Sequence, residues 1–180
     1  MIEQTYINKS EWPEGPWHNE VDFRFWPEGD VPCMMGRNPW SGNWLAYVGV
    51  PNEHPWHGKN GEDLFDVHGG CTYSGYMAHD DMYVFHFTDD DPRPSLPNTS
   101  VELIRLPWWL GWDYHHGFDY APGMAAFYAK NMIGRNILEE KYYTQAEVVK
   151  EVEAVVNQAV NAVTRGVIVP GGEAPTLEGC

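Results

Sequence analysis

Apolar and polar positions along the chain repeat with two different periods, and each period predicts a different kind of element. Residues 44–50 (WLAYVGV) are the most strand-like run, and Pro51 closes it. Residues 21–25 alternate with a period of two, which also predicts a strand. Pro107 interrupts another extended stretch, so we expect a bulge or a sheet edge there. The further strands predicted in this way are residues 64–68, 82–87 and 101–112.

A helical period takes over in the last third of the chain. From Thr144 to Arg165, valine and alanine recur in steps of three and one, the stripe of an amphipathic helix. Thr144 and Glu147 have the spacing of a capping box, and Gly166 is a stop signal. Residues 124–138 predict a helix or a broken helix, because a glycine weakens the pattern.

The order of these elements predicts an α+β fold. Residues 1–43 are dense in Trp, Pro and Gly, which favours short extended pieces held by aromatic rings over long regular elements. We expect one domain over residues 1–169, in which a small, mostly antiparallel sheet packs against the C-terminal amphipathic helix. Residues 170–180 are predicted to be a flexible tail.

Charge and composition exclude several classes of protein. The 26 acidic and 11 basic side chains give a net charge of −15, which argues against general nucleic-acid binding. No apolar run is long enough for a membrane span, and the acidic start predicts no signal peptide. Cys33, Cys71 and Cys180 lack the spacing of a disulfide framework or a zinc knuckle. A cytoplasmic protein is the expectation, with nine Trp and ten Tyr to fill its core.

One candidate site surrounds His68. Gly69 and Gly70 follow this histidine, so a ligand can approach the backbone closely there, or the N–H groups can face an anion. The alternative is a histidine whose hydrogen bonds are satisfied beneath a turn.

A second candidate segment follows the apolar run 108–112. Asp113, His116 and Asp119 recur at spacings of three, so one turn of chain could direct all three side chains to one side. Carboxylate and imidazole together suit a divalent metal or a general acid–base pair. The alternative is a polar turn, with Asp113 as its cap. We predict His68, Asp113, His116 and Asp119 as catalytic residues, and His68, Asp113 and His116 as metal ligands.

The remaining polar clusters are weaker candidates. His54 and His57 share a proline-containing loop and could bind one ligand, although packing of Trp56 explains that loop equally well. Two acidic runs, at residues 79–81 and 89–91, are predicted to be solvated. The predicted ligand-binding residues are His54, Gly69, Gly70, Tyr73 and Trp109. The sequence lacks the phosphate-loop, dinucleotide, nucleophile-elbow and zinc-protease motifs, so for an enzyme a water activated by carboxylate or imidazole is the most economical chemistry.

The order of these motifs resembles a family of small, uncharacterised phage and prophage proteins. Residues 43–59 are similar to the family's GYVGVP-x-x-HP-x-x-GK stretch, residues 67–75 to VHGGLTYSG, and residues 108–119 to WWxGFDxxHxxD. Cys71 and Trp112 stand where the family usually has Leu and Phe. The resemblance implies a phage or bacterial origin and one domain, but no reaction. The family's histidine and aspartate positions correspond to His54, His68, Asp113, His116 and Asp119.

Three functions remain open on the sequence. The first is a hydrolase that uses the His/Asp residues, with a divalent metal as candidate cofactor, on a small nucleotide-like or phosphorylated substrate. The second is a phage anti-defence or accessory protein that binds a nucleotide signal or a host protein without catalysis, and the third is a virion component. A homo-oligomer is compatible with each of them, and neither general nucleic-acid binding nor membrane association is expected.

Overall fold

The strands form where apolar residues alternate, and they assemble into one antiparallel sheet. The computed structural model describes residues 1–77, 107–132 and 140–166. The strands are β1 (Ile2–Gln4), β2 (Phe23–Glu28), β3 (Val31–Arg37), β4 (Trp44–Val50), β5 (Tyr73–Tyr76) and β6 (Trp108–Asp113). Their spatial order is β1-β2-β3-β4-β6-β5, and every neighbouring pair is antiparallel. A 3₁₀ turn (Pro16–Asn19) and the helices α1 (Pro122–Lys130) and α2 (Gln145–Gly166) complete the described elements.

Side chains of β4 and β6 alternate between the two faces of the sheet, and both faces are buried. On one face, Ala46, Val48, Leu110 and Trp112 pack against α2. The apolar stripe of that helix supplies Val148, Val152, Val155, Val156 and Ala159. The predicted α+β fold, with the C-terminal helix on the sheet, is therefore confirmed.

The opposite face of the sheet carries a second apolar cluster. Phe23, Phe25, Met34, Tyr47 and Trp109 lie there. Gly111 of β6 is on this face as well, and a Cβ on it would lie 2.3 Å from the Tyr47 ring. Glycine at this position lets the aromatic ring cross β6.

Buried charges connect the N-terminal segment to the sheet and to α2. Arg37 is fully buried, lies over the Trp44 ring at 3.8 Å and contacts Glu20 at 2.8 Å. Asp22 accepts hydrogen bonds from the amides of residues 6 and 7, and the Lys9 ammonium lies 2.5 Å from its carboxylate. Glu20 also accepts the amide of Gln145 at 2.7 Å, which satisfies a free donor at the first turn of α2.

Several predicted elements are confirmed. β4 has the predicted bounds, and β2 overlaps the strand predicted at residues 21–25. α2 starts where the capping box predicts, because the Thr144 amide donates to the Glu147 carboxylate at 2.8 Å and the Glu147 amide donates to the Thr144 hydroxyl at 3.3 Å. The helix predicted from residue 124 begins two residues earlier, since Pro122 occupies its first turn.

The expectation of only short pieces in residues 1–43 is wrong, because β2 and β3 form a hairpin. Gly29 supplies the turn with φ of +60°. Pro27 and Pro32 stand directly opposite each other. Neither proline has an N–H to donate, so they fit the ladder only as a pair that does not exchange hydrogen bonds.

Two further strand predictions are corrected. Residues 64–68 are not a strand: the chain turns after Gly61, and Leu64 and Phe65 pack on the core from a loop. Pro107 lies at neither a bulge nor an edge, because it precedes β6, which pairs continuously with β4 and is flanked on its other side by β5. The predictions for residues 78–106, 133–139 and 167–180, including the strand at 82–87, the acidic runs and the tail, lie outside the described residues. Neither described helix has the length and apolar character needed to cross a bilayer.

Replacing Arg37 by Met should lower the free energy of unfolding by about 3–5 kcal/mol, because Glu20 and Asp22 would lose a buried partner. Arg24→Met on the neighbouring strand is the matched control. Arg24 pairs with a more exposed carboxylate, that of Glu3, and its loss should cost at most about 1 kcal/mol. Urea denaturation measures both, and equal losses would contradict a stabilising role for the buried charges.

Candidate functional site

Two loops on the α2 side of the sheet bring His68, His116 and Asp119 together; we name these residues the His–Asp cluster. The Asp119 Oδ2 atom lies 2.9 Å from His68 Nε2 and 3.2 Å from His116 Nδ1. One potential ligand atom from each residue lies within 4.8 Å of the other two. Segments that are 51 residues apart in sequence therefore converge on one point.

Backbone hydrogen bonds fix the Asp119 carboxylate. Asp119 closes a turn in which its amide donates to the His116 carbonyl at 3.0 Å, and the His116 amide donates to Oδ2 at 2.8 Å. A parallel bridge to Lys141 holds the same residue from the other side. Only 5% of Asp119 is exposed, so this carboxylate cannot turn freely toward solvent.

The His68 ring is held by aromatic neighbours. It stacks on Tyr114 with centroids 5.2 Å apart and planes 10° apart, and the Tyr143 hydroxyl lies 3.3 Å from Nδ1. A neutral imidazole with its proton on Nε2 satisfies both contacts, since Nε2 then donates to Asp119 and Nδ1 accepts from Tyr143.

Glu151 of α2 holds the residues around the cluster in place through hydrogen bonds. Its carboxylate accepts the His68 amide at 3.0 Å, the Trp112 indole N–H at 3.2 Å and the Tyr114 hydroxyl. Burial raises the pKa of Tyr114, and the hydrogen bond to Glu151 raises it further, so the hydroxyl stays protonated as a donor. One carboxylate thus joins the helix, the strand and the loop of His68.

Gly69 is required because the His116 ring lies against it. Its φ is +68°, and a Cβ there would lie 2.0 Å from the imidazole. Gly70 also has a positive φ, +83°, but a Cβ there would meet nothing within 4 Å. The two glycines therefore have different roles, and only the missing side chain of Gly69 leaves space for the His116 ring.

Solvent reaches the cluster from one side. The side chains of His68 and His116 are 23% and 36% exposed, whereas Asp119 is buried behind them. Two imidazoles and one carboxylate are a common ligand set of catalytic zinc sites, in which water or substrate takes the remaining position. The arrangement can also act without metal, as a carboxylate that orients an imidazole base.

Asp113 does not join the cluster, although the spacing of three suggested that it would. It is still part of β6, so the alternation of the strand turns it to the face opposite Trp112 and Tyr114. Its carboxylate accepts the Thr72 hydroxyl at 3.1 Å and the His115 amide at 3.0 Å. The cluster is therefore completed by Asp119 where the predicted metal set had Asp113.

The remaining predicted ligand-binding residues lie away from the cluster. The Nε2 of His54 is 3.1 Å from the Ala159 carbonyl, and its Nδ1 accepts the Trp56 amide, so this imidazole joins its loop to α2. Tyr73 and Trp109 belong to the apolar cluster on the opposite face. The Tyr73 hydroxyl donates to the Tyr76 carbonyl at 3.0 Å. His57, the neighbour of His54 in the loop, is 2.9 Å from the Tyr76 hydroxyl.

Sequence reasoning missed Glu151, Tyr114 and Tyr143. Glu151 carried a signal, because it lies between Val148 and Val152 on the buried side of a helix that is otherwise apolar there. A carboxylate in such a stripe needs buried donors. The two tyrosines carried no comparable signal.

No family model, no curated protein and no solved structure matches this chain. The resemblance to phage and prophage proteins stays a prediction. Arguments about function therefore rest on the geometry of the site.

Gly69→Ala and Gly70→Ala form a matched pair that tests the packing of His116. Both should cost about 1–2 kcal/mol of stability from the left-handed backbone alone. Gly69→Ala should cost more than Gly70→Ala, because its methyl group displaces the imidazole. Urea denaturation gives the difference, and equal losses would show that His116 does not lie against Gly69.

His54 should make the protein less stable in weak acid. Burial lowers its pKa below the usual 6.5, although the bond to the Ala159 carbonyl acts in the opposite direction. Since the unfolded chain binds the proton first, the contribution of His54 is complete above pH 6.5 and is lost as the pH falls below it. The free energy of unfolding should therefore fall less between about pH 7.5 and about pH 5.5 in His54→Gln than in the parent. Parallel pH profiles for the two proteins would contradict this assignment.

Proposed function

We propose that the His–Asp cluster binds one divalent metal ion of the zinc class and that the protein is a metal-dependent hydrolase. The observation that supports this is the convergence of one potential ligand atom each from His68, His116 and Asp119 within 4.8 Å. Ligands about 2.0–2.1 Å from a tetrahedral zinc ion lie about 3.4 Å from one another. The separations of 2.9 Å and 3.2 Å at Asp119 need only small outward shifts to fit.

The surroundings of the three residues also suit a metal. Ligating histidines generally hydrogen-bond through the ring nitrogen that does not bind the metal, and the Tyr143 hydroxyl stands at that nitrogen of His68. The bound ion would lower the pKa of a water in the solvent-facing position. Asp119, fixed by backbone donors, would hold the site in place while that water reacts.

A phosphorylated substrate is supported by one positive charge beside the cluster. The backbone of Lys141 forms a parallel β-bridge with that of Asp119, and the Lys141 ammonium lies 4.1 Å from the centroid of the Tyr143 ring. The hydrogen bond from Lys141 to Glu147 raises the pKa of Lys141, so it is charged at neutral pH. The ammonium is paired with the half-exposed Glu147 carboxylate at 2.9 Å, so a phosphate that approached the cluster would have to replace Glu147 as its partner.

A binding protein without catalysis is the second candidate, and an exposed aromatic groove favours it. Trp40 and Phe127 are 62% and 41% exposed and line a groove of about 760 Å³ together with Trp12. Exposed apolar surface of this kind marks interaction sites. Under this candidate the chain is an accessory or anti-defence factor in the host cytoplasm, and the family resemblance implies only its phage or bacterial origin.

Metal binding is tested on protein purified without a polyhistidine tag. Titration calorimetry with Zn²⁺ should show one equivalent bound, and His68→Ala and Asp119→Asn should each weaken binding by about 100-fold or more. His115→Ala is the matched control, because His115 is an exposed neighbour in the same loop. Equal affinity in His68→Ala and in His115→Ala would contradict the site.

Hydrolysis is tested with the zinc-loaded protein on a set of nucleotides and on p-nitrophenyl phosphate. Turnover should disappear with a chelator and with Asp119→Asn, and it should persist in His115→Ala. Because Asp119→Asn keeps the size of the side chain, its fold is checked by circular dichroism before the comparison. Zinc binding without turnover of any substrate would favour the second candidate over the hydrolase.

A further inference from the structure

An apolar groove lies at one end of the sheet, on the face opposite α2. β2 and β4 end there and β3 begins there, and β6 begins directly after Pro107. We name it the proline groove; it encloses about 470 Å³. Its lining residues are Phe25, Pro27, Asp30, Pro32, Pro51, Asn52, Glu53 and Pro107.

Strand register brings the prolines together. Pro27 lies on the same face of β2 as Phe25, and Pro32 stands opposite it on β3. Gly49 of β4 leaves space between two rings, since a Cβ there would lie 2.9 Å from Pro32 Cγ and 3.0 Å from Pro107 Cβ. Pro51 continues the same line beyond the end of β4.

The surface of the groove is apolar and open. Pro27 and Pro51 are exposed, and Pro32 and Pro107 are half-buried. Prolines have no backbone N–H, so the groove offers an occupant ring surfaces and few donors. An apolar side chain gains free energy from the area that it covers there, and an aromatic ring covers the most.

The charges at the rim have one sign. Asp30 and Glu53 are exposed carboxylates that make no hydrogen bond or ion pair within residues 1–77, 107–132 and 140–166. The eight lining residues include no cation. With a chain charge of −15, this end of the sheet repels acidic partners and attracts basic ones.

We propose that the proline groove binds a basic, aromatic segment of a partner protein. An aromatic side chain of the partner lies among the proline rings, and flanking arginines contact Asp30 and Glu53. Aromatic residues and arginine are the side chains that most often dominate the energetics of protein interfaces. Guanidinium groups also form paired hydrogen bonds with carboxylates. The groove and the His–Asp cluster lie on opposite faces, so this inference does not depend on the metal site.

The test uses three fluorescein-labelled peptides and the full chain. They are acetyl-Arg-Leu-Trp-Leu-Arg-amide, the same peptide with both Arg replaced by Gln, and the same peptide with Trp replaced by Gly. Fluorescence anisotropy should show that the first peptide binds best and that each replacement weakens binding by about fivefold to tenfold. Equal binding of the Gln peptide, or of the Gly peptide, would overturn the proposal.

Variants of the protein locate the binding. Asp30→Asn with Glu53→Gln should weaken the first peptide by about fivefold to tenfold, and Pro51→Ser should weaken it as well. Glu14→Gln with Asp63→Asn is the matched control, because it removes the same charge from exposed positions outside the groove. Equal weakening by both double variants would mean that the peptide responds only to net charge, which would overturn the proposal. All of these positions, Pro51 included, are exposed side chains in loops or turns, and urea denaturation of each variant confirms that it is folded.

Discussion

Glu151 joins helix α2 to the sheet and to the loop that carries His68, and the candidate site depends on this carboxylate. Its three donors come from β6, from the residue after β6 and from the backbone of His68. The loop before His68 pairs with no strand, so contacts with α2 set its position: Glu151 at the His68 amide, and Gln158 at the amide of Asp66. A displacement of α2 along the sheet would therefore also change the position of His68 relative to Asp119. The core and the site share one constraint, which is the placement of a single helix.

A second contact fixes the position of α2 at the start of the helix. Glu20 accepts the first amide of the helix and contacts Arg37, which is fully buried. Buried ion pairs often contribute little net stability, because desolvation offsets their attraction. They do, however, favour one arrangement of the chain, because any arrangement that leaves a buried charge without its partner is strongly destabilised. This network has two cations, Lys9 and Arg37, for the two carboxylates of Glu20 and Asp22, so its formal charges balance.

The sequence predicted those parts of the fold that are decided by local pattern. β4 and the capped start of α2 are encoded by neighbouring residues, so periodicity and capping rules found them. β3 was missed because prolines and glycines in residues 27–32 read as a break, whereas Pro27 and Pro32 fit the strand pair because they occupy a pair that exchanges no hydrogen bonds. That condition is a property of the pairing, which a single strand sequence does not reveal.

The sequence predicted that histidines and an aspartate form the candidate site, but the predicted metal ligands included the wrong aspartate. His68, His116 and Asp119 were identified from glycines and spacing, and Asp113 was included because it shares the spacing of three with His116 and Asp119. With Asp113 still in the strand, the period of two turns its carboxylate away, and the turn that follows brings Asp119 in. One residue of strand length therefore decides which carboxylate faces the histidines.

The same alternation places the His–Asp cluster and the proline groove on opposite faces of the sheet. In β4, Val48 and Val50 face α2, while Gly49 between them faces the proline groove. A ligand in the groove meets β4 on the side away from α2, so it neither covers the His–Asp cluster nor touches the helix that holds it. If both proposals hold, a metal ion and a basic partner could bind at the same time. Coupling between them would have to pass through the packed strands β4 and β6, whose side chains fill both faces of the sheet.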